Sequence, residues 1–229
     1  MHSAAELKQL KEAAAEAAAA QVTDGMIVGL GSGSTATLAV KALGLRVARG
    51  LRITGIPTSE DTAQLARELS IPLSTLGEHS RIDVTIDGAD EVELGTLNLI
   101  KGLGGALLRE KIVASATARF VIIVDETKLV KQLGARNPVP VEITPFGWQL
   151  TDGKLRALGA KPELRKRPGG EAFLTDGGNY ILDCSFGLIP SSAELDKELN
   201  RTVGVVEHGL FIGMTSQVII GTPGGLKTL

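Results

Sequence analysis

Aromatic side chains are scarce in this chain: five Phe, one Tyr and one Trp, 3% of 229 residues. Platforms that stack unpaired bases or sugar rings are built from such rings, so both classes are disfavoured. Cysteine occurs once, as Cys184, which excludes an intramolecular disulfide and any paired-cysteine zinc site. The three histidines, His2, His79 and His208, are too dispersed for HExxH-type ligation. Neither sign of charge dominates, with 24 Lys plus Arg against 26 Asp plus Glu and a net −2. No long basic run supplies a footprint for nucleic acid or an anionic membrane. No N-terminal apolar stretch reaches the length of a signal core or a spanning helix, because Glu12 and Glu16 interrupt the alanine-rich start. The expectation is a soluble, cytoplasmic protein with neither nucleic acid nor membrane as partner.

Glycine is what the chain has in excess, 28 of 229 residues. The usual share is ~7%. With 43% apolar residues and no Gly-X-Y period, collagen-like and disordered classes fail. The glycines must therefore serve turns and close backbone approaches in a packed fold. Strands are predicted at 26–30, 51–56, 82–86 and 120–124, alternating with helices at 4–21, 35–48, 59–69 and 106–118. Such alternation argues for parallel βαβ units, and the run Val121-Ile122-Ile123-Val124 fits a strand buried on both faces. From about 130 the texture changes to Pro- and Gly-punctuated segments. There, 165–170 reads as an exposed turn, and strands at 172–174 and 179–186 flank a hairpin signal, Asp176-Gly177-Gly178. The expected fold class is α/β, a Rossmann-like, mainly parallel sheet with helices on both faces plus a smaller α+β domain. Residues 1–130 with 205–229 are assigned to the first and 131–204 to the second.

Three loops follow predicted strands. Gly29-Leu30-Gly31-Ser32-Gly33-Ser34-Thr35 opens a helix, where backbone N–H groups attract phosphate and Ser32, Ser34 and Thr35 add hydroxyls. It is neither a dinucleotide fingerprint, since Ser34 stands where GxGxxG needs glycine, nor a Walker A loop. The plainer reading is a tight strand-to-helix turn. Asp87-Gly88-Ala89-Asp90-Glu91 lies past a strand, at the edge where ligands bind in open α/β sheets. Its three acids suit Mg²⁺ ligation, acid–base chemistry or simple solvation of a loop. Lys101-Gly102-Leu103-Gly104-Gly105 places a cation before a third set of glycines.

The helix after it carries only three charges, Arg109, Glu110 and Lys111, which point in three directions. Glu110 has Ala106, Leu107, Val113 and Ala114 as its i±3 and i±4 neighbours. At least one of the three charges should face a cleft or an internal partner. A desolvated carboxylate has the raised pKa that a general base needs; a buried ion pair is the equal alternative. Cys184 reads as strand packing, His208 as a strand residue, and Lys128 as the start of a helix beyond the fourth strand.

Together these motifs resemble ribose-5-phosphate isomerase type A, in order and spacing over the whole chain. Leu103 departs from the glycine or alanine frequent there, which matters little if backbone amides bind. The resemblance implies interconversion of D-ribose 5-phosphate and D-ribulose 5-phosphate without metal or organic cofactor. It makes Glu110 the base that carries a proton between carbons 2 and 1 through an enediolate. Lys101 then stabilises the oxyanion, and Asp87 and Asp90 hold sugar hydroxyls and assist ring opening. Ser32, Gly33, Ser34 and Thr35, with Gly88, Ala89, Gly102, Leu103 and Gly104, line the substrate pocket. Lys128 helps hold the phosphate, and Lys11 is brought near it only by its approximate position in the first helix. A homodimer or homotetramer is implied as well. An NAD(P)-dependent enzyme is disfavoured by Ser34, and a sugar-phosphate sensor by the lack of length for a DNA-binding module. A CoA-transferase-like protein would need a larger pairing of domains.

Overall fold

Ser3 starts the first helix by exchanging two hydrogen bonds with Glu6: its hydroxyl accepts the Glu6 N–H, and the Glu6 carboxylate accepts the Ser3 N–H at 2.6 Å. This capping box satisfies donors that a helix start otherwise leaves open. The structure, a computed structural model, describes residues 3–229, so His2 lies outside the described residues. In chain order the elements are α1 (Ala4–Ala20), β1 (Ile27–Leu30), α2 (Gly33–Val47), β2 (Thr54–Pro57), α3 (Glu60–Glu68) and β3 (Ile82–Asp87). Two short strands follow, β4 (Glu91–Glu93) and β5 (Leu99–Ile100), then α4 (Leu107–Ser115), β6 (Thr117–Asp125) and a 3-10 turn at Glu126–Lys128. After these come β7 (Leu129–Val130), β8 (Val139–Ile143), α5 (Trp148–Ala157), β9 (Lys161–Leu164), β10 (Tyr180–Ser185) and α6 (Ser192–Arg201). The chain ends with β11 (Val205–His208), β12 (Leu210–Phe211), β13 (Gln217–Thr222) and β14 (Gly225–Thr228).

Two compact units divide these elements. The first takes the described residues up to Ala89, with Arg109–Lys128 and Met214–Leu229; the second takes Asp90–Leu108 and Leu129–Gly213. The division expected from sequence differs at 90–108, 129–130 and 205–213, which fall in the second unit. There β4 pairs with β5 and β7, β5 pairs with β12, and β11 pairs with β8, so backbone ladders tie them to that unit.

The first unit is the expected mainly parallel α/β sheet, in the order β14-β13-β6-β3-β1-β2. Every neighbouring pair is parallel except β13 with β14 at one edge. Val28, Leu30, Val84, Ile86, Val121 and Ile123 form a core with alanines of α1 and with Val40 and Leu43 of α2. Ile56 and Ile82 pack with Val113 of α4 in a second cluster. Coverage on both faces explains why β6 is apolar without alternation. Close packing is visible at Gly221, where a Cβ would lie 2.1 Å from the Leu10 carbonyl oxygen of α1. Thr117 and Ala118 belong to β6 rather than to the preceding helix. Thr117 is in register with Ile82, and its hydroxyl donates to the Val113 carbonyl at 2.7 Å, closing α4. Lys128 ends a 3-10 turn instead of starting a helix.

The second unit holds two four-stranded sheets, β11-β8-β10-β9, wholly antiparallel, and β12-β5-β4-β7. The expected strand at 172–174 is absent. Both edges of β10 are already occupied, by β8 and β9, leaving Ala172 one bridge to Lys166. The tight turn at 175–179 does form, with the Gly178 N–H donating to the Thr175 carbonyl at 2.9 Å. Cys184 and His208 are buried strand residues, as expected. Gly209 joins the two sheets. Its N–H donates to the Pro140 carbonyl at 2.7 Å and its carbonyl accepts the Lys101 N–H at 2.9 Å. A Cβ there would meet the Lys101 carbonyl oxygen at 2.1 Å.

Candidate active site

Parallel pairing brings the carboxyl ends of β1, β2, β3 and β6 to one edge of the first unit's sheet. Asp87, the last residue of β3, is fully buried there; its Oδ1 accepts the N–H of Gly88 at 2.7 Å and of Ser32 at 3.2 Å. The expected glycine loop and the Asp-Gly-Ala-Asp loop therefore meet. Gly31 permits it, since a Cβ would lie 2.4 Å from Asp87 Oδ1. A Cβ on Gly88 would stand 3.7 Å from Thr35 Cβ, so these two motifs are neighbours as well.

Gly33 opens α2 at φ +87°, a conformation that favours glycine. First-turn N–H groups have no intrahelical partner, and with the helix dipole they form an anion site. Gly33 and Ser34 are exposed and Thr35 half-buried at that turn. Ser32 is different, because its hydroxyl is committed inward. It is hydrogen-bonded to Thr58 Oγ1 and Ser59 Oγ, both at 2.7 Å, and to Thr62 Oγ1 at 3.2 Å. Thr58 donates onward to the Leu30 carbonyl and Thr62 to the Gly31 carbonyl, each at 3.0 Å. This hydroxyl cluster fixes the loop's backbone. Sequence reasoning missed Thr58 and Thr62 and read Ser59 only as a helix cap.

At the end of β6, Asp125 is buried and joins two features. Its Oδ2 pairs with Lys11 Nζ at 3.6 Å, while Oδ1 accepts the Thr127 N–H at 2.9 Å and the Thr127 hydroxyl. Lys128, half-buried, sits at the end of the turn so formed. Glu110 lies on α4 and is 4% exposed; Val113 and Ala114 of the same helix are buried as well. Its neighbour Arg109 reaches Glu60 of α3 at 2.7 Å, holding the Glu60 carboxyl below its ordinary pKa by that hydrogen bond. One of the three charges does face inward, and it is the carboxylate.

The remaining candidates belong to the second unit. Lys101 is 3% exposed, with Nζ 5.6 Å from the Phe211 ring centroid. Asp90 accepts the Leu103 N–H at 3.0 Å, which brings Asp90 to the loop of Lys101, Gly102, Leu103 and Gly104. Glu91, the third acid of its motif, is otherwise engaged. Its carboxylate accepts the N–H groups of Gly134, Arg136 and Asn137 at 2.7–2.8 Å, so it anchors that loop. Among the described residues, no three His, Cys, Asp or Glu side chains converge as a metal-ligand set. No described helix is long and apolar enough to cross a membrane.

A profile of the family described as Ribose 5-phosphate isomerase A (phosphoriboisomerase A) matches residues 54–225. A protein of Gloeobacter violaceus named Ribose-5-phosphate isomerase A is 60% identical, over 98% of this chain and 97% of its own. The chain belongs to the ribose-5-phosphate isomerase A family. Membership makes it an isomerase. Its fold agrees: the ribose 5-phosphate isomerase A of Methanocaldococcus jannaschii superposes with a TM-score of 0.93 at 44% identity, covering 97% of this chain and 98% of that one. A D-ribose-5-phosphate isomerase in complex with phospho-erythronic acid superposes at 0.94 and 41% identity, with the same coverage. The family profile spans Asp87, Asp90, Lys101, Glu110 and Lys128, and the Gloeobacter relative extends the likeness to nearly the whole chain, including the loop at 32–35.

Proposed function

We propose that the chain interconverts D-ribose 5-phosphate and D-ribulose 5-phosphate through an enediolate, with Glu110 as the base. The observation that carries this reading is the burial of Glu110, 4% exposed, beside an Arg109 engaged elsewhere. In the open-chain aldose the C2–H bond breaks to Glu110, and the electron pair moves through C2–C1 onto the aldehyde oxygen. Lys101 stabilises that oxyanion. Glu110 then returns its proton to C1 while the C2 hydroxyl proton passes to the C1 oxygen, leaving the C2 oxygen as the ketone, so no electrons enter or leave and no metal or organic cofactor is required. One positioned base of this kind is worth ~10²–10⁴-fold.

Asp87 and Asp90 hold sugar hydroxyls and assist ring opening. Ser32, Gly33, Ser34 and Thr35, together with Gly88, Ala89, Gly102, Leu103 and Gly104, receive the substrate. Lys128 holds the phosphate. Lys11 joins it in the same reading, and its pairing with Asp125 at the β6 end supports that placement. The phosphorylated sugar acid bound by the structural neighbour supports a sugar-phosphate ligand. The reading also includes a cytoplasmic location and a homodimer or homotetramer, supported by exposed Phe146, Leu150 and Val203.

The test is incubation with ribose 5-phosphate in heavy water containing EDTA. Ribulose 5-phosphate with deuterium at C1 is expected. Glu110→Gln should keep sugar-phosphate binding and lose turnover by about 10³-fold. Near-normal turnover in that variant refutes the base, and product formed only with Mg²⁺ would make Asp87 and Asp90 metal ligands.

A further inference from the structure

Arg165 does not sit in the exposed turn expected at 165–170. The turn proper is 167–171, closed by the Arg167 N–H to the Glu171 carbonyl at 2.8 Å. Arg165 instead prolongs β9: its N–H donates to the Ile181 carbonyl and its carbonyl accepts the Phe173 N–H, both at 2.9 Å. With the backbone pinned on both sides, the side chain is directed and only 13% exposed. Its Nε donates to Asp183 Oδ2 at 2.9 Å and its Nη2 to Asp183 Oδ1. Its Nη1 donates to the carbonyls of Gly102 at 3.0 Å and Leu103 at 3.1 Å. The guanidinium also lies 5.9 Å from the Phe173 ring centroid. That ring closes on Gly105, where a Cβ would come within 2.6 Å of it.

We propose that Arg165 is a positioning residue for the isomerisation, which sets the direction of the backbone amides after Lys101. This rests on the reading that residues 101–104 receive the sugar phosphate. In a trans peptide the carbonyl and the following N–H point to opposite sides. Holding the Gly102 carbonyl turns the Leu103 N–H away from Arg165, toward Asp90, as observed. Holding the Leu103 carbonyl turns the Gly104 N–H away in the same manner. Glycines at 102, 104 and 105 leave this loop with many backbone states, and two fixed carbonyls remove most of them. Asp183 balances the guanidinium charge, so Arg165 contributes direction rather than attraction for an anion. Lysine preserves the charge and lacks the planar fork.

The experiment compares Arg165→Lys and Arg165→Ala with Arg156→Ala, whose ion pair with Asp152 lies within α5 of the same unit. Two readouts are taken: kcat and KM for ribose 5-phosphate, and amide hydrogen exchange without substrate. Both Arg165 variants should lose about 10²-fold in kcat, the scale of a small misplacement at a reacting centre, with KM changed far less. Exchange should accelerate at Leu103 and Gly104 and not across the second unit. Guanidinium chloride at millimolar concentration should restore part of the Arg165→Ala rate where sodium chloride does not, and Arg156→Ala should behave as wild type. Wild-type kcat and exchange in Arg165→Lys would overturn the proposal, as would uniform acceleration across the unit without guanidinium rescue. If the wild-type protein itself fails to isomerise ribose 5-phosphate, the proposed function falls; the exchange at Leu103 and Gly104 still decides whether Arg165 directs those amides.

Discussion

A methyl group at position 31 would meet Asp87 Oδ1 at 2.4 Å and the Ile86 carbonyl oxygen at 2.6 Å. Neither is a flexible tip: one is backbone inside a sheet, the other a buried carboxylate held by two amides. Gly31→Ala should therefore lose about 1–3 kcal/mol of stability, the range for overpacking, together with at least about tenfold in kcat/KM. Urea unfolding and steady-state kinetics check this, and a variant equal to wild type in both would show that the two loops do not depend on this approach. Gly31 was legible as a loop glycine. Its partner was not, because the contact joins residues 56 apart and no local spacing encodes it. Glu91 taught the same lesson in reverse. It reads as a third candidate acid beside Asp87 and Asp90, yet amides at 134–137 absorb it.

Among the elements, α3 links stability to the site through its cap. Ser59 Oγ accepts the Thr62 N–H at 3.1 Å and is also hydrogen-bonded to Ser32 Oγ. Ser191 caps α6 at 3.4 Å from the Glu194 N–H, in an exposed setting of the second unit. Each serine-to-alanine change should cost about 1 kcal/mol of stability. Only Ser59→Ala should also raise KM for the sugar phosphate, because it loosens the hydroxyl cluster behind the 32–35 loop. Equal kinetic effects in the two variants would remove that cluster from the site. Elements of this size were largely legible: α1, α2, α3 and the strands β1, β2, β3 and β6 carry strong period or apolar runs. The strand expected at 172–174 failed for a nonlocal reason. A turn signal reports that the chain reverses, while the partners of β10 are chosen by which edges remain unfilled. Thr117 shows another limit, since helix periodicity does not reveal where a β-branched residue leaves the helix to join a sheet.

Across the whole molecule, folding stability should depend on pH through Glu142 of β8. It is 1% exposed, and its Oε1 accepts from Thr175 Oγ1 and Asn179 Nδ2, each at 2.9 Å. Burial pushes its carboxyl above the ordinary value near 4.5, aided by the charges of Glu207 and Asp176 and opposed by those two hydrogen bonds. The folded protein then holds this proton more tightly than the unfolded chain. Stability is greatest below the unfolded value and falls as pH rises toward the folded one. Glu142→Gln keeps the acceptor oxygen without the charge, so it should be at least as stable as wild type near pH 8 and show a flatter slope from about pH 5. Urea midpoints at the two values test this, and an unchanged slope would remove Glu142 as its source. At this scale the α/β class was legible from alternation and from the apolar β6. The limits of the second unit were not, because β4, β5, β7 and β12 are two or three residues long and too short to show a period. Their pairing exists only once distant segments meet.

The chain from β11 through Gly209 to β12 belongs to one sheet before the glycine and to the other after it. In mechanical terms it is a tendon without slack. A strain applied to the β8 ladder passes through two backbone hydrogen bonds at Gly209 to the peptide of Lys101, with no side chain between them to absorb it. The lysine assigned to the oxyanion is thus carried by the framework itself, and insertions between positions 208 and 210 would displace it before they disturbed any loop.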